Sequence, residues 1–141
     1  MSIRRATLDD LPRLLKYCEA FQKESPWCVI PFNRLKMESF LRGLMVKHSG
    51  CLLISDYGMI AGIITPHPFI SVVGAQEVLW YTSKKSPRGG FKLLSAFEEW
   101  AGDNGATAVM MSTLGDTPTR LNKLLKRFGY QQFESSLVKF L

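Results

Sequence analysis

The sequence predicts a single α/β (α+β) domain of roughly six to seven strands and about four helices. Three observations carry this. Apolar residues recur at offsets of three and four in four separate stretches. Short β-rich runs such as "GCLLIS" and "AQEVLWYTS" stand between those stretches. Helical and extended signals alternate along 141 residues without repeat, linker or low-complexity tract, a length that suits one ordinary core.

The elements follow in order. "SIRRA" is a short strand, after which Thr7 or Asp9 can cap a helix running to about Glu24. Leu11, Leu14, Leu15, Cys18 and Phe21 form its apolar stripe, and Pro12 is tolerated in the first turn. "ESPWCVIPF" is a structured loop, because two prolines and a tryptophan interrupt the pattern. A second helix is expected over 33–47, with Leu35, Phe40, Leu41, Leu44 and Met45 largely on one side. "GCLLIS", the turn "DYG" and "MIAGIIT" read as a β-hairpin. "PHPFISVVG" reads as a loop or irregular edge, since proline cannot serve a central ladder.

"AQEVLWYTS" is the next strand, and "KKSPRGG" leads it into a third helix beginning at or just after Gly89-Gly90. Phe91, Leu93, Leu94, Ala96, Phe97, Trp100 and Ala101 mark the packed face, leaving Lys92, Ser95, Glu98 and Glu99 outward. "ATAVMMSTL" is a buried strand, and Asp116 or Thr117 caps a last helix through Phe128 with Gly129 as its C′ residue. "YQQFESSLVKFL" reads as two short strands with a turn near 134–136.

Composition limits the function. With 46% hydrophobic and 21% charged residues the chain has a globular profile, and no apolar run reaches the ~18 residues of a membrane helix. "MSIRRATLDD" precedes no apolar h-region, so no secretory leader is expected. Cys18, Cys28 and Cys51 form no C-x-x-C pair, which points to reduced thiols in an intracellular protein and gives no support for a metal site. A net charge of +6 invites an anionic partner, whether a nucleotide cofactor, a nucleic acid or only a solvated surface.

The turn "KKSPRGG" is the most specific stretch. A helix N-terminus presents unpaired N–H groups and partial positive charge, glycines permit close approach, and Lys84, Lys85 and Arg88 add full charges. That combination suits a phosphate or pyrophosphate; the competing reading is a solvated basic turn.

The order of elements, with "AQEVLWYTS…RGG..LLSAFEEWA", "GATAVMMS" and "FGYQQFE", resembles the GNAT family of acyl-CoA-dependent N-acyltransferases over almost the whole chain, most nearly its compact bacteriophage members. The resemblance implies a central mixed, mostly antiparallel sheet, acetyl-CoA as co-substrate, no metal, and transfer of an acetyl group to an amine. It implies a shortened coenzyme-binding turn involving Lys85, Arg88, Gly89 and Gly90, either with Lys85 first and Arg88 standing where the family motif has glycine, or with Arg88-Gly89-Gly90 as its start and residues lost before Phe91. It places the pantetheine arm along the backbone of Leu79 and Tyr81, and a base at Glu77, whose alternative is a strand glutamate paired with an arginine. Simple alternation sets Ala75, Glu77, Leu79 and Tyr81 on one face.

The family's proton-donating tyrosine would fall at Leu125 and its asparagine at Pro118, so both marks are absent. Tyr130 and Tyr81 are substitute donors or packed aromatics, and the thiolate can also take its proton from water. Trp27, Cys28 and His67 are candidates for the acceptor pocket, as loop residues or as loop anchors, and His48 suits a helix C-terminus. The basic face of the last helix, Arg120, Lys123, Lys126 and Arg127, is solvated surface, a support for coenzyme phosphates, or a nucleic-acid contact without a recognised motif. The acceptor is a small-molecule or protein amine, no membrane is involved, and the chain acts as a monomer or homodimer. The competing function is a domain of the same fold that binds coenzyme A, a protein or nucleic acid without useful turnover.

Overall fold

A computed structural model describes residues 2–114 and 119–141. The described elements run β1 (Arg4–Arg5), α1 (Leu11–Lys23), α2 (Arg34–Val46), β2 (Gly50–Ile54), β3 (Gly58–Pro66), β4 (Val73–Thr82), α3 (Pro87–Asp103), β5 (Ala108–Met110) and α4 (Thr119–Arg127). The strands form one sheet in the order β1-β2-β3-β4-β5. Its pairs are antiparallel except β4–β5, which is parallel, so the sheet is mixed and mostly antiparallel.

Each face of the sheet supports its own core. Leu14, Leu15 and Cys18 of α1 and Leu41 and Leu44 of α2 pack on Leu52, Met59, Ala61 and Leu79. On the other face Leu93, Leu94, Phe97 and Ala101 of α3, with Leu125 of α4, pack on Cys51, Ile60 and Ala75. Burying such side chains contributes roughly 1.5–3 kcal/mol each, which fixes both helical layers to the strands between them.

Capping sets several boundaries. Pro12 lies in the first turn of α1, after a short 3-10 turn at Leu8–Asp10. Asn33 Oδ1 accepts the Lys36 amide at 3.0 Å and starts α2. At the end of α4, Gly129 takes φ +94° and its N–H donates to the Lys126 carbonyl. The Tyr130 N–H reaches back to the Leu125 carbonyl, which completes a Schellman motif with glycine at C′. Asp116, Thr117 and Pro118 lie outside the described residues.

The structure corrects the predicted element bounds and burial in five places. The sheet has five described strands rather than six to seven, because residues 131–141 make no ladder and remain exposed. β5 is short and only half-buried instead of a fully buried strand. Leu35 and Phe40 are exposed, because the buried stripe of α2 runs through Leu41 and Leu44, with Met37 and Met45 beside it. β4 starts at Val73, and the connection 67–72 is closed by the His67 N–H donating to the Val72 carbonyl at 2.9 Å. Finally, α3 starts at Pro87, ahead of Gly89-Gly90, because proline at the first helical turn costs no hydrogen bond.

One buried carboxylate ties the chain's start to α1. Arg4 Nη1 and Nη2 donate to Asp10 Oδ2 and Oδ1 at 2.7 and 2.8 Å, and the Thr7 N–H donates to the same carboxylate at 2.8 Å. The Arg4 guanidinium, opposed by partial burial and helped by the Thr7 amide, holds Asp10 well below the usual carboxylate range. Its stabilisation is therefore present above the unfolded value of about 3.9 and is lost as pH falls below it. Asp10→Ala should cost about 1–2 kcal/mol at pH 7. Urea titrations from pH 7 to pH 2.5 should show that difference shrinking; a constant difference would mean the charge on Asp10 is not what matters.

Candidate active site

β4 carries a bulge. Ala61 pairs with Leu79 but the next residue of β3, Gly62, pairs with Glu77, so Val78 is the extra residue. The bulge breaks the simple alternation expected from sequence. Ala75, and with it Glu77, faces α3, whereas Leu79 and Tyr81 join the core beneath α1. Tyr81 meets Tyr17 there at a ring distance of 5.5 Å. Glu77 and the pair Leu79/Tyr81 therefore serve opposite faces of the same strand.

The bulge adjoins an opening in the sheet. β5 pairs with β4 only from Gly74 to Gln76, while β4 continues to Thr82 along β3. From 77 onward the other edge of β4 has no strand beside it among the described residues. The Ser83 N–H donates to the Tyr57 carbonyl at 2.7 Å, which fixes the ladder's phase. In an antiparallel ladder alternate residues point their backbone groups to alternate sides, so Leu79 and Tyr81 bond towards β3, which corrects the expectation that their backbone groups receive the pantetheine arm. Trp80 and Thr82 present their N–H and C=O groups to the open notch, where an extended amide chain could pair with them.

Glu77 stands at the head of this notch, 8% exposed. Desolvation raises its carboxyl pKa to about 8. The three ion pairs among the described residues do not include it, so it is not the arginine-paired strand glutamate of the alternative reading. Such a carboxylate is poised to take a proton near neutral pH.

Tyr130 lies on the α3 side, half-buried, and its hydroxyl donates to Glu98 Oε2 at 3.0 Å. Burial, then the charge and hydrogen bond of Glu98, then the charge of Glu77 all keep the phenol protonated. Glu98 was missed by the sequence reading, which set it outward. Its spacing of four from Leu94 and three from Ala101 was the available signal.

The basic turn closes the notch's lower end. The Lys85 amide donates to Ser83 Oγ at 3.2 Å, the Ser86 amide to the Ser83 carbonyl at 3.2 Å, and the Gly89 amide to the Ser86 carbonyl at 3.1 Å. These amides are engaged within the turn, and Pro87 has none, so the exposed side chains of Lys84, Lys85 and Arg88 supply most of its pull on an anion. Gly90 allows the helix to sit against β4: a Cβ there would meet Thr82 Oγ1 at 2.7 Å. The Trp80 indole N–H donates to the Gly90 carbonyl at 3.0 Å and pins the helix start beside the notch.

The acceptor candidates sit in two separate loops. Trp27 packs edge-on against Phe140 at 6.2 Å, and Cys28 is exposed in the same loop. His67 Nδ1 accepts the Phe69 N–H at 3.4 Å in the loop between β3 and β4. His48 is exposed in the turn before β2. Cys18 and Cys51 are buried and their thiol pKa values are pushed up to about 12, which makes them inert core residues. Among the described residues no three His, Cys, Asp or Glu side chains group as metal ligands.

Solved structures align with this geometry over nearly the whole chain. A transcriptional regulator from Bacillus halodurans C-125 superposes with TM-score 0.81 at 16% identity, covering 99% of each chain. An aminoglycoside antibiotic 6'-N-acetyltransferase from Acinetobacter haemolyticus gives TM-score 0.73 at 16% identity, covering 100% of this chain and 97% of that one. A ribosomal-protein-alanine N-acetyltransferase from Brucella melitensis biovar Abortus 2308 gives 0.70 at 13% identity, covering 99% and 100%. The fold is that of the GNAT acetyltransferases. No protein-family profile and no curated protein matches the chain.

The raised pKa of Glu77 has a stability signature. The folded protein holds a proton on it that the unfolded chain releases above about 4.3, so wild-type stability falls as pH rises through 4 to 8. Glu77→Gln lacks that loss. Between pH 4.5 and pH 8.5 its stability relative to wild type should rise by roughly 2–4 kcal/mol, read from thermal unfolding. A pH-independent difference would place the Glu77 carboxyl in water.

Proposed function

We propose that the protein is an acetyl-CoA-dependent N-acetyltransferase that delivers an acetyl group to an amine by direct attack on the thioester. The observation that carries this reading is the juxtaposition of a buried, unpaired carboxylate, Glu77, with the unpaired backbone edge of β4. The residues fit the co-substrate. The outward N–H and C=O groups of Trp80 and Thr82, flanked by Leu79 and Tyr81, offer a ladder to the amides of a pantetheine arm. Lys85 and Arg88, with Gly89 and Gly90 behind them, lie where a pyrophosphate would be held by charge-assisted bonds.

In this mechanism Glu77 takes the proton from the acceptor ammonium, directly or through water, and frees the nitrogen lone pair. The nitrogen bonds to the thioester carbonyl carbon, and the C–S bond then breaks with its electron pair leaving on sulfur. The remaining amide-forming proton passes to solvent, and the thiolate is protonated by water or by Tyr130. Tyr130 can donate only by exchanging its bond to Glu98 for one to sulfur. The loops bearing Trp27, Cys28 and His67 are assigned to the acceptor, a small-molecule or protein amine. The nearer likeness to compact bacteriophage members, and action in the cytoplasm (the host's if viral), belong to the same reading.

Calorimetry with acetyl-CoA, with ATP as anion control, tests the co-substrate. Saturable binding at least tenfold tighter than ATP is expected; no acetyl-CoA binding would overturn the assignment. In a thiol-release assay across amine and peptide acceptors, kcat/KM should climb with pH to a limb near 8, where Glu77 ionises. Glu77→Gln should lower turnover by about 10²–10⁴-fold with acetyl-CoA affinity within twofold. Unchanged turnover would remove Glu77 from the chemistry.

A further inference from the structure

The chain's positive charge is not spread over its surface. Eight of the eighteen Lys and Arg residues fall at Lys84, Lys85, Arg88, Lys92, Arg120, Lys123, Lys126 and Arg127. The stretches 84–92 and 119–127 contain no Asp or Glu, and the rest of the chain has ten cations against twelve acids. The net charge of +6 therefore resides wholly in two segments that are far apart in sequence.

The fold brings them together. Phe91, in the first turns of α3, stacks on Phe128, at the end of α4, with ring centroids 4.9 Å apart and planes 18° apart. All eight cations are exposed, and the ion pairs among the described residues engage none of them. Between α3 and the end of α4 lies an open groove of about 380 Å³, lined by Phe91, Lys92, Ser95, Ala96, Glu99 and Phe128. Its aromatic wall is accessible, since Phe128 is 50% exposed.

We infer that this face binds single-stranded nucleic acid. Its phosphates would lie on Lys92 and the cations of α4, Arg120, Lys123, Lys126 and Arg127, and a base would stack on Phe128. Acyl-CoA brings roughly four negative charges, one pyrophosphate and one phosphomonoester, which leaves about half of these cations unopposed. A row of cations beside an exposed aromatic face is the arrangement that holds a strand without reading its sequence. A bare acidic polypeptide would satisfy the charges but not the ring. A duplex would satisfy the charges but keep its bases stacked on one another. Glu99 lines the same groove and repels phosphate, so the strand's backbone follows Lys92 and α4.

Fluorescence anisotropy with a labelled single strand of about 16 nucleotides, as DNA and as RNA, tests this with the whole chain. Saturable binding is expected, with log K falling against log salt at a slope of roughly −3 to −4. Duplex and poly-glutamate should bind at least tenfold more weakly. The double substitution Lys126→Glu/Arg127→Glu should weaken the strand at least tenfold while the melting temperature holds, and Phe128→Leu should erase the preference over duplex. Saturating acetyl-CoA should leave the strand bound. No binding at low salt, equal binding of poly-glutamate or duplex, or complete displacement by acetyl-CoA would each overturn the inference. These readouts do not require turnover, so loss of the acetyltransferase reading would leave the test intact.

Discussion

The extra residue in β4 is the constraint on which the candidate site depends. A regular strand would have turned Glu77 towards α1 together with Leu79 and Tyr81. There it would have lain among the apolar side chains of that core. With Val78 bulged, Leu79 and Tyr81 still fill the α1 side, yet Glu77 reaches the opposite layer near Tyr130. The same irregularity comes where β5 leaves the ladder, so the carboxylate and the unpaired backbone edge arise at one place.

A second dependence runs through α3. Its packed stripe is held by Leu93, Leu94 and Phe97, and its first turn is fixed by the Trp80 indole on the Gly90 carbonyl. The basic turn cannot drift from the notch without breaking that bond. At the other end, the Schellman motif at Gly129 aims Tyr130 back at α3, where Glu98 receives its hydroxyl. Local backbone geometry in α4 thereby sets a contact with a helix 32 residues away in sequence.

Much of this was legible in the sequence. The four helices, the hairpin around "DYG" and the glycine after α4 follow from period and turn chemistry, and each has its place in the fold, though Leu35 and Phe40 of α2 and Phe128 after α4 lie exposed where the period would bury them. The role proposed for Glu77 came from the resemblance, whereas its burial follows from the bulge and the α3 layer that covers it. Other features had no local signal. Val78 is an ordinary β-former, so nothing in "QEVLWY" marks a bulge. The tail "YQQFESSLVKFL" has strand-like residues, but a ladder needs a partner edge, and here it has none among the described residues. The start of α3 was misplaced because the two glycines outweighed a proline that suits the first turn. The gathering of charge on two distant segments is invisible until Phe91 and Phe128 meet.

Trp80 joins these parts in another respect. Its indole is half-buried, bonded to the first turn of α3, and edge-on to Phe91 at 5.7 Å. Of the three tryptophans, Trp27 lies in the far loop and Trp100 stacks on Phe97 in the core. Emission from Trp80 is thus a built-in optical gauge of the turn that precedes α3. With Trp27 and Trp100 replaced by phenylalanine, occupancy of that turn could be followed by light, without attaching a dye.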